Sequence, residues 1–188
     1  MSTSLAEEKN QYYTYDDYYS WDDGLRWELI DGKAYAMSPA PGRMHQKICG
    51  NLHLQLATFL KGKLCEVYMA PFDVRLNADT TNDTVVQPDL VVICDKEKLD
   101  ERGGKDAPDM AIEVLSKSSQ KHDRITKLKL YQSAGVREYW IVDPEDHAIA
   151  VHILENGKYI ITPYGDEDIV PVQVLKGCEI DLAEVFAL

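Results

Sequence analysis

The feature that most constrains the fold is a pair of short apolar runs, each interrupted by one carboxylate. In residues 110–116 that carboxylate is Glu113, and in residues 85–93 it is Asp89. Apolar runs of this length predict buried β-strands. An ionised carboxylate inside such a strand is costly unless it is paired or binds a cation. Two buried strands that carry one acid each therefore predict a site for a divalent metal ion.

The amino-acid composition places the chain among globular proteins. Its 188 residues are 45% hydrophobic and 28% charged, which predicts a full core rather than a disordered chain. No apolar run approaches the ~20 residues that a membrane-spanning helix needs. The first ten residues lack the apolar core of a signal peptide, so we expect a cytoplasmic protein. Residues 1–11 are predicted to be disordered and residues 12–188 to form one domain.

The charge of the chain bears on its partners. A formal net charge of −12 argues against a general nucleic-acid-binding protein, because affinity for phosphates depends on Lys and Arg. Between Lys117 and Lys129, however, five Lys or Arg residues stand against one acid, Asp123. Two interpretations of this basic segment remain, a phosphate-facing surface or a solvated helix face.

The four cysteines are far apart in the sequence and form no Cys-x-x-Cys pair. This spacing predicts reduced thiols, most of them buried.

Periodicity and turn signals predict the helices and strands. A short helix is expected after Thr14, its cap, and a hairpin is expected over 26–37 with its turn at Asp31-Gly32. The further helices are predicted over residues 43–61, 122–134 (ending at Gly135) and 181–186. The further strands are predicted near residues 64–76, 84–94, 109–115, 138–144, 147–154 and 158–163, with the last two joined in a hairpin that turns at Asn156-Gly157.

The predicted order of elements brings a lysine toward the acids. Side chains alternate between the faces of a strand, so Glu113 shares a face with Leu115. On the next helix, Asp123, Lys127 and Tyr131 are spaced by four and lie on one stripe. If that stripe faces the sheet, Lys127 can reach back toward Glu113, and Tyr131 is predicted to pack in the core.

Several motifs stand together in this chain in one order. They are Pro88-Asp89, Glu113-Val114-Leu115-Ser116, Asp123 with Lys127 and Tyr131, and residues 135–144. Together they resemble the Uma2 family, formerly DUF820, of the PD-(D/E)xK nuclease superfamily. The resemblance covers nearly the whole chain and implies an α/β restriction-endonuclease-like fold, a central mixed β-sheet flanked by helices, with extra β-hairpins. It also implies Mg²⁺- or Mn²⁺-dependent hydrolysis of phosphodiester bonds, with DNA as the partner.

The resemblance implies a role for each acid. Asp89 and Glu113 match metal-binding acids, and the backbone carbonyl of Val114 would be a third ligand. Glu28 matches an acid that many superfamily members place near the metal through a water molecule. Hard oxygen ligands of this kind suit Mg²⁺ or Mn²⁺.

One position departs from the superfamily pattern. Its lysine is expected at position 115, where this chain has Leu115. Lys127 fits a lysine recruited from the next helix, which would orient the attacking water or stabilise the pentacoordinate phosphate. His45, at the start of the long helix, is a further candidate for binding the phosphate or transferring a proton.

Three functions remain open at this point. The first is a Mg²⁺-dependent DNA endonuclease, and the second is an inactive nuclease-fold module that binds or regulates. The third is a metal-dependent hydrolase of another phosphate ester, for which an acidic surface is less unfavourable. Glu113 itself has an alternative role in a purely structural ion pair with Lys127. Because cutting two strands commonly uses two sites, the sequence also suggests a homodimer.

Overall fold

The computed structural model describes residues 11–37, 40–116 and 122–187, without the side chains of residues 122–124. Residues 1–10, nearly all of the segment predicted to be disordered, lie outside these ranges. So do Lys117 and Lys121 of the basic segment and the side chain of Asp123.

Most of the described residues form short strands and four α-helices. The helices are α1 (Tyr15–Tyr19), α2 (Arg43–Leu60), α3 (Leu128–Ala134) and α4 (Leu182–Val185). The strands are β1 (Trp27–Ile30), β2 (Lys33–Ala36), β3 (Glu66–Met69), β4 (Val74–Arg75), β5 (Val85–Val86), β6 (Leu90–Ile93), β7 (Leu99–Asp100), β8 (Gly103–Lys105), β9 (Met110–Val114), β10 (Glu138–Asp143), β11 (Ala148–Glu155), β12 (Lys158–Gly165), β13 (Ile169–Val172) and β14 (Cys178–Asp181).

The central sheet has the strand order β12-β11-β10-β9-β6-β3. It is mixed, because β9 and β10 run parallel while β6 and β9 run antiparallel. A second sheet has the order β2-β1-β5-β4-β8-β7, and β13 pairs with β14 in a separate hairpin. This architecture, a mixed sheet with helices and added hairpins, confirms the predicted fold class.

Helices cover the two faces of the central sheet. The apolar residues of α2 recur every four positions, at Ile48, Leu52, Leu56 and Leu60, and pack in one cluster with Ile112. Strand alternation sends Ala111 and Leu115 to the opposite face, where they cluster with Tyr131 of α3. Glu113 belongs to that second face, as its position between Ala111 and Leu115 predicts.

The strongest local signals produced the predicted elements. Thr14 caps α1, and both its backbone N–H and its hydroxyl donate to Asp17. The hairpin turn at Asp31-Gly32 has φ angles of 49° and 73°, which are the positive values that favour Asp-Gly in a two-residue turn. The predicted turn at Asn156-Gly157 likewise connects two adjacent strands, β11 and β12.

Two predicted strands are each divided between the sheets. The run predicted near 84–94 forms β5 in the second sheet and β6 in the central sheet. Pro88 lies in the break, where its missing N–H cannot join a ladder. The run predicted near 64–76 is divided in the same way into β3 and β4, with Pro71 between them.

The helix predicted over 122–134 begins with π-helical geometry. The segment His122–Lys127 is π-helical, and α3 follows it without a break. The helix ends as predicted at Gly135, whose φ of 88° is left-handed.

The prediction that all four cysteines are reduced is wrong. Cys65 and Cys94 form a disulfide. Strands β3 and β6 pair Glu66 with Ile93, so Cys65 and Cys94 stand opposite each other at the next position of the register. That register is a long-range property, which sequence spacing does not reveal. Cys49 and Cys178 are buried free thiols, as predicted.

Within the described ranges, no helix combines the length and the apolar character needed to cross a membrane.

His152 on β11 gives the fold a defined pH dependence. Its Nδ1 lies 3.1 Å from the carbonyl oxygen of Tyr139 and 3.0 Å from that of Ala150, so this nitrogen carries a proton and donates. Burial, which outweighs these carbonyls, lowers the pKa of His152 below 6.5. Below that pH the unfolded chain takes up a proton more readily than the folded protein does.

We therefore expect the free energy of unfolding to fall as pH decreases through 6.5 toward the lower pKa of the folded protein. Urea denaturation at several pH values measures this change. The variant His152→Gln lacks the titrating imidazole, so its free energy of unfolding should depend less on pH. The difference in stability between the parent and the variant should therefore shrink as pH falls. A difference that stays constant between about pH 5 and pH 7 would contradict the assignment.

Candidate functional site

A buried ammonium lies between two carboxylates at the centre of the site. Nζ of Lys127 is 2.8 Å from Oε1 of Glu113 and 2.9 Å from Oε1 of Glu28. The three residues are only 3–5% exposed. Lys127 comes from the end of the π-helical segment, Glu113 from β9 and Glu28 from β1. The structure therefore brings together three of the predicted residues from three separate elements, of which β1 is distant from the other two in the sequence.

Tyr131 adds a second donor to Glu113. Its hydroxyl donates to Oε1 of Glu113 at 2.9 Å. Burial, and then the negative charge of Glu113, raises the pKa of Tyr131 well above its usual value, so the hydroxyl remains a donor. From the sequence Tyr131 is predicted to be mainly a packing residue. Its spacing of four from Lys127 was the signal for this additional role.

Glu28 reaches the site from the second sheet. Its Oε1 also accepts a hydrogen bond from the backbone N–H of Gln87 at 3.0 Å. Gln87 follows β5, which pairs with β1 in the second sheet and precedes β6 of the central sheet. This crossing between sheets is what places an acid of the first hairpin beside Glu113.

Asp89 stands opposite Glu113 at the edge of the same strand pair. The register pairs Leu90 with Ile112, and one step further it places Asp89 across from Glu113, on the same face. Oδ2 of Asp89 accepts a hydrogen bond from the backbone N–H of Val114 at 2.8 Å. Its side chain is 20% exposed, so it is the more accessible of these two opposed acids.

His45 and Cys49 approach Asp89 from α2. Nε2 of His45 is 3.2 Å from Oδ2 of Asp89, and its Nδ1 is 3.5 Å from Sγ of Cys49. Burial, followed by the charges of Asp89 and Glu113, raises the pKa of the Cys49 thiol. Sequence reasoning missed Cys49, although its spacing of four from His45 on a helix was visible.

The potential metal ligands of the site are not equally close to one another. Potential ligand atoms of His45, Cys49 and Asp89 lie within 4.8 Å of one another. Among the described residues, Glu28, Asp89 and Glu113 do not form a group of that tightness. The ammonium of Lys127 instead lies between the carboxylates of Glu28 and Glu113.

The donor set nevertheless fits a hard divalent cation. Asp89 and Glu113 present carboxylate oxygens from one face of adjacent strands, and Val114 adds a backbone carbonyl on β9. Lys127 contacts two of the acids, Glu28 and Glu113, while Asp89 lies across from Glu113 on the adjacent strand.

Position 115 contributes no cation to the site. Leu115 is 2% exposed and packs in the apolar cluster with Val91 and Tyr139. The positive charge beside Glu113 comes from Lys127, which lies 12 positions further along the chain than residue 115.

Comparisons with known proteins identify the family of this chain. The model of the Uma2 family, described as "Putative restriction endonuclease", matches residues 15–183. The chain is 28% identical over 143 residues to the uncharacterized protein slr1290 of Synechocystis sp., covering 75% of this chain and 73% of that protein.

A solved structure shares the fold. It is titled as a "putative nuclease belonging to DUF820" from Anabaena variabilis, and it superposes with a TM-score of 0.74 at 18% identity. The match covers 93% of this chain and 97% of that one. With the family model matched over residues 15–183, the chain belongs to the Uma2 family.

Proposed function

We propose that this protein is a Mg²⁺-dependent endonuclease that hydrolyses phosphodiester bonds of DNA, with Mn²⁺ as an alternative ion. The observation that carries the proposal is the buried ammonium of Lys127, held within 3 Å of Glu113 on the strand that faces Asp89. Two opposed acids beside one fixed cation are the components that metal-assisted phosphodiester hydrolysis requires. Membership of the Uma2 family supports the same reaction class.

Asp89, Glu113 and the carbonyl of Val114 would hold the metal ion, and Glu28 would act through a water molecule. The ion would supply a more acidic bound water and charge neutralisation at the phosphate. The backbone N–H of Val114 holds Oδ2 of Asp89, and the hydroxyl of Tyr131 holds Oε1 of Glu113. These hydrogen bonds orient the two acids before any ligand arrives, which lowers the cost of ordering them.

Lys127 takes the role of the lysine missing at position 115. Its contacts with Glu28 and Glu113 hold the ammonium in one place within a buried site. A cation fixed in this way stabilises developing negative charge without having to reorganise during the reaction. His45 holds Oδ2 of Asp89 through Nε2, and we assign it to phosphate binding or proton transfer beside that acid.

DNA as the partner is also part of the proposal. The net charge of −12 requires the protein to present its positive charge locally, and the basic residues between Lys117 and Lys129, other than the buried Lys127, are the candidates for contacting phosphates. Lys129 is exposed on α3, two residues after Lys127. A DNA substrate is consistent with the cytoplasmic location expected from the sequence.

The test is a cleavage assay on supercoiled plasmid and on single-stranded DNA, with Mg²⁺, with Mn²⁺ and with a chelator. We expect cleavage with either ion and none with the chelator.

We also propose a homodimer, which would linearise the plasmid without accumulating nicked circles, because two sites would cut the two strands together. The variant Asp89→Ala controls for contaminating nucleases and should be inactive.

One observation favours a second candidate, an inactive nuclease-fold module. Lys127 already pairs with both Glu28 and Glu113, so these residues could serve as a purely structural ion pair. If the module is inactive, the parent protein will cleave no substrate with either ion, and divalent ions will not raise its melting temperature.

The same melting curves test the proposal that residues 12–188 form one domain, which predicts a single transition.

A further inference from the structure

Three side chains with metal-binding atoms meet beside the proposed Mg²⁺ site. His45 and Cys49 lie one turn apart on the same face of α2, and Asp89 immediately precedes β6. Their ligand atoms are within 4.8 Å of one another. Unlike Glu28 and Glu113, this group includes a thiol and an imidazole, which are ligands that softer cations prefer.

We propose that His45, Cys49 and Asp89 form a site for a thiophilic divalent cation such as Zn²⁺, and that its occupation inhibits the enzyme by withdrawing Asp89 from Mg²⁺. This inference rests on the proposed function for its inhibitory effect, but not for the binding of the ion. Coordination replaces the S–H bond of Cys49 with a metal–sulfur bond and releases one proton to solvent. The ion remains divalent throughout.

The geometry of the His45–Cys49 pair is close to that of a zinc site. Standard Zn–S and Zn–N bond lengths place the two ligand atoms of a tetrahedral site ~3.6 Å apart. Sγ of Cys49 is 3.5 Å from Nδ1 of His45. One ligand atom from each of His45, Cys49 and Asp89 lies within 4.8 Å of the other two, so side-chain rotations that shorten these separations by about 1 Å bring three protein ligands to the spacing of a zinc site. Water supplies the fourth position, as in zinc sites that remain open.

Asp89 makes the two sites mutually exclusive. The Asp89 side chain is 20% exposed and that of His45 is 11% exposed, whereas Cys49 is 3% exposed. An ion therefore enters past Asp89 and His45 and reaches the thiol last. An ion held by Cys49 would draw the carboxylate of Asp89 toward α2 and away from Glu113 on β9. Repulsion between two divalent ions that share this one carboxylate would then oppose the binding of Mg²⁺.

Cobalt titration tests the site without relying on cleavage. Co²⁺ replaces Zn²⁺ as the probe because a cobalt–thiolate bond produces an intense charge-transfer absorption. We expect this absorption in the parent and in the control Cys178→Ala, which removes the other buried free thiol. It should disappear in Cys49→Ala. Omitting reductant keeps Cys65 and Cys94 in their disulfide, so that they add no thiolate.

A second variant guards against loss of folding in Cys49→Ala, and circular dichroism verifies the fold of each protein. His45→Ala keeps the thiol but should bind Co²⁺ at least about tenfold more weakly, since even residues that only support metal ligands change affinity by this much. Absence of the absorption in the parent, or its persistence in folded Cys49→Ala, would overturn the site.

Inhibition is measured by adding Zn²⁺ to a cleavage reaction at fixed Mg²⁺, with each variant normalised to its own rate without Zn²⁺. The inhibitory Zn²⁺ concentration should be at least about tenfold higher for Cys49→Ala than for Cys178→Ala, and it should rise with Mg²⁺ in the parent. Equal inhibition of the two variants would refute inhibition through this site. If the parent binds Co²⁺ through Cys49 but cleaves nothing, the metal site stands and the proposed endonuclease function falls.

Discussion

Replacing Lys127 with alanine is expected to lower the rate of DNA cleavage roughly 10²-fold or more, in the range for losing one preorganised electrostatic group. It should also reduce the free energy of unfolding by about 3–5 kcal/mol, because it leaves two buried carboxylates without their cation. Both effects follow from contacts of 2.8 and 2.9 Å to Glu113 and Glu28 at a residue that is 4% exposed.

The matched control is Lys129→Ala. Lys129 is exposed and follows Lys127 by two residues, which turns it away from the stripe that contains Tyr131. Its replacement removes the same charge from the same segment, so it should change stability by less than about 0.5 kcal/mol. Cleavage per folded molecule, with the folded fraction measured by circular dichroism, separates catalysis from stability. If both variants cleave as the parent does, the catalytic cation does not come from this helix.

A second variant separates the charge of Lys127 from its volume. Lys127→Met retains most of the side-chain stem but carries no charge, so the volume of the buried side chain is largely preserved. We expect it to lose as much cleavage as Lys127→Ala. Mg²⁺ should restore part of the stability of both variants, because the ion supplies positive charge beside the same acids. An undiminished cleavage rate in folded Lys127→Met would assign Lys127 a structural role alone.

Divalent metal is expected to raise the melting temperature of the parent protein. An ion that binds only the folded state at a concentration of 100 times its dissociation constant stabilises it by about 2.7 kcal/mol. For a chain of this size, that corresponds to a rise of roughly 5–10 °C. In the double variant Asp89→Ala with Glu113→Ala, the rise and the cleavage should both disappear. Differential scanning fluorimetry with Mg²⁺, Mn²⁺ and a chelator measures the rise.

The control for this measurement is a variant that removes the same number of negative charges from exposed residues elsewhere. Glu155→Ala with Glu167→Ala also removes two negative charges, but both residues are exposed and lie on the hairpin β11–β12 or directly after it. The metal-dependent rise should persist in this variant. A rise of the same size in the variant without Asp89 and Glu113 would show that the ion binds elsewhere.

The sequence by itself determined the parts of this protein that depend on neighbours in the chain. Alternation along β9 places Glu113 on the face of Leu115, and helical spacing puts Lys127 and Tyr131 on one stripe. The turns at Asp31-Gly32 and Asn156-Gly157 followed from the preference of these residues for positive φ. All of these features were predicted correctly because each is decided within a few residues.

Only the tertiary structure decided which of these elements meet. Glu28 is beside Lys127 because the chain crosses from the second sheet to the central sheet around Pro88. Cys65 and Cys94 are joined because of the register of β3 on β6, and Cys49 meets Asp89 through the packing of α2. Sheet register and the docking of a helix are set by the burial of apolar surface summed over the whole core. This total burial cannot be worked out from any short stretch of sequence. The spatial relation of these residues could therefore not be predicted from their spacing.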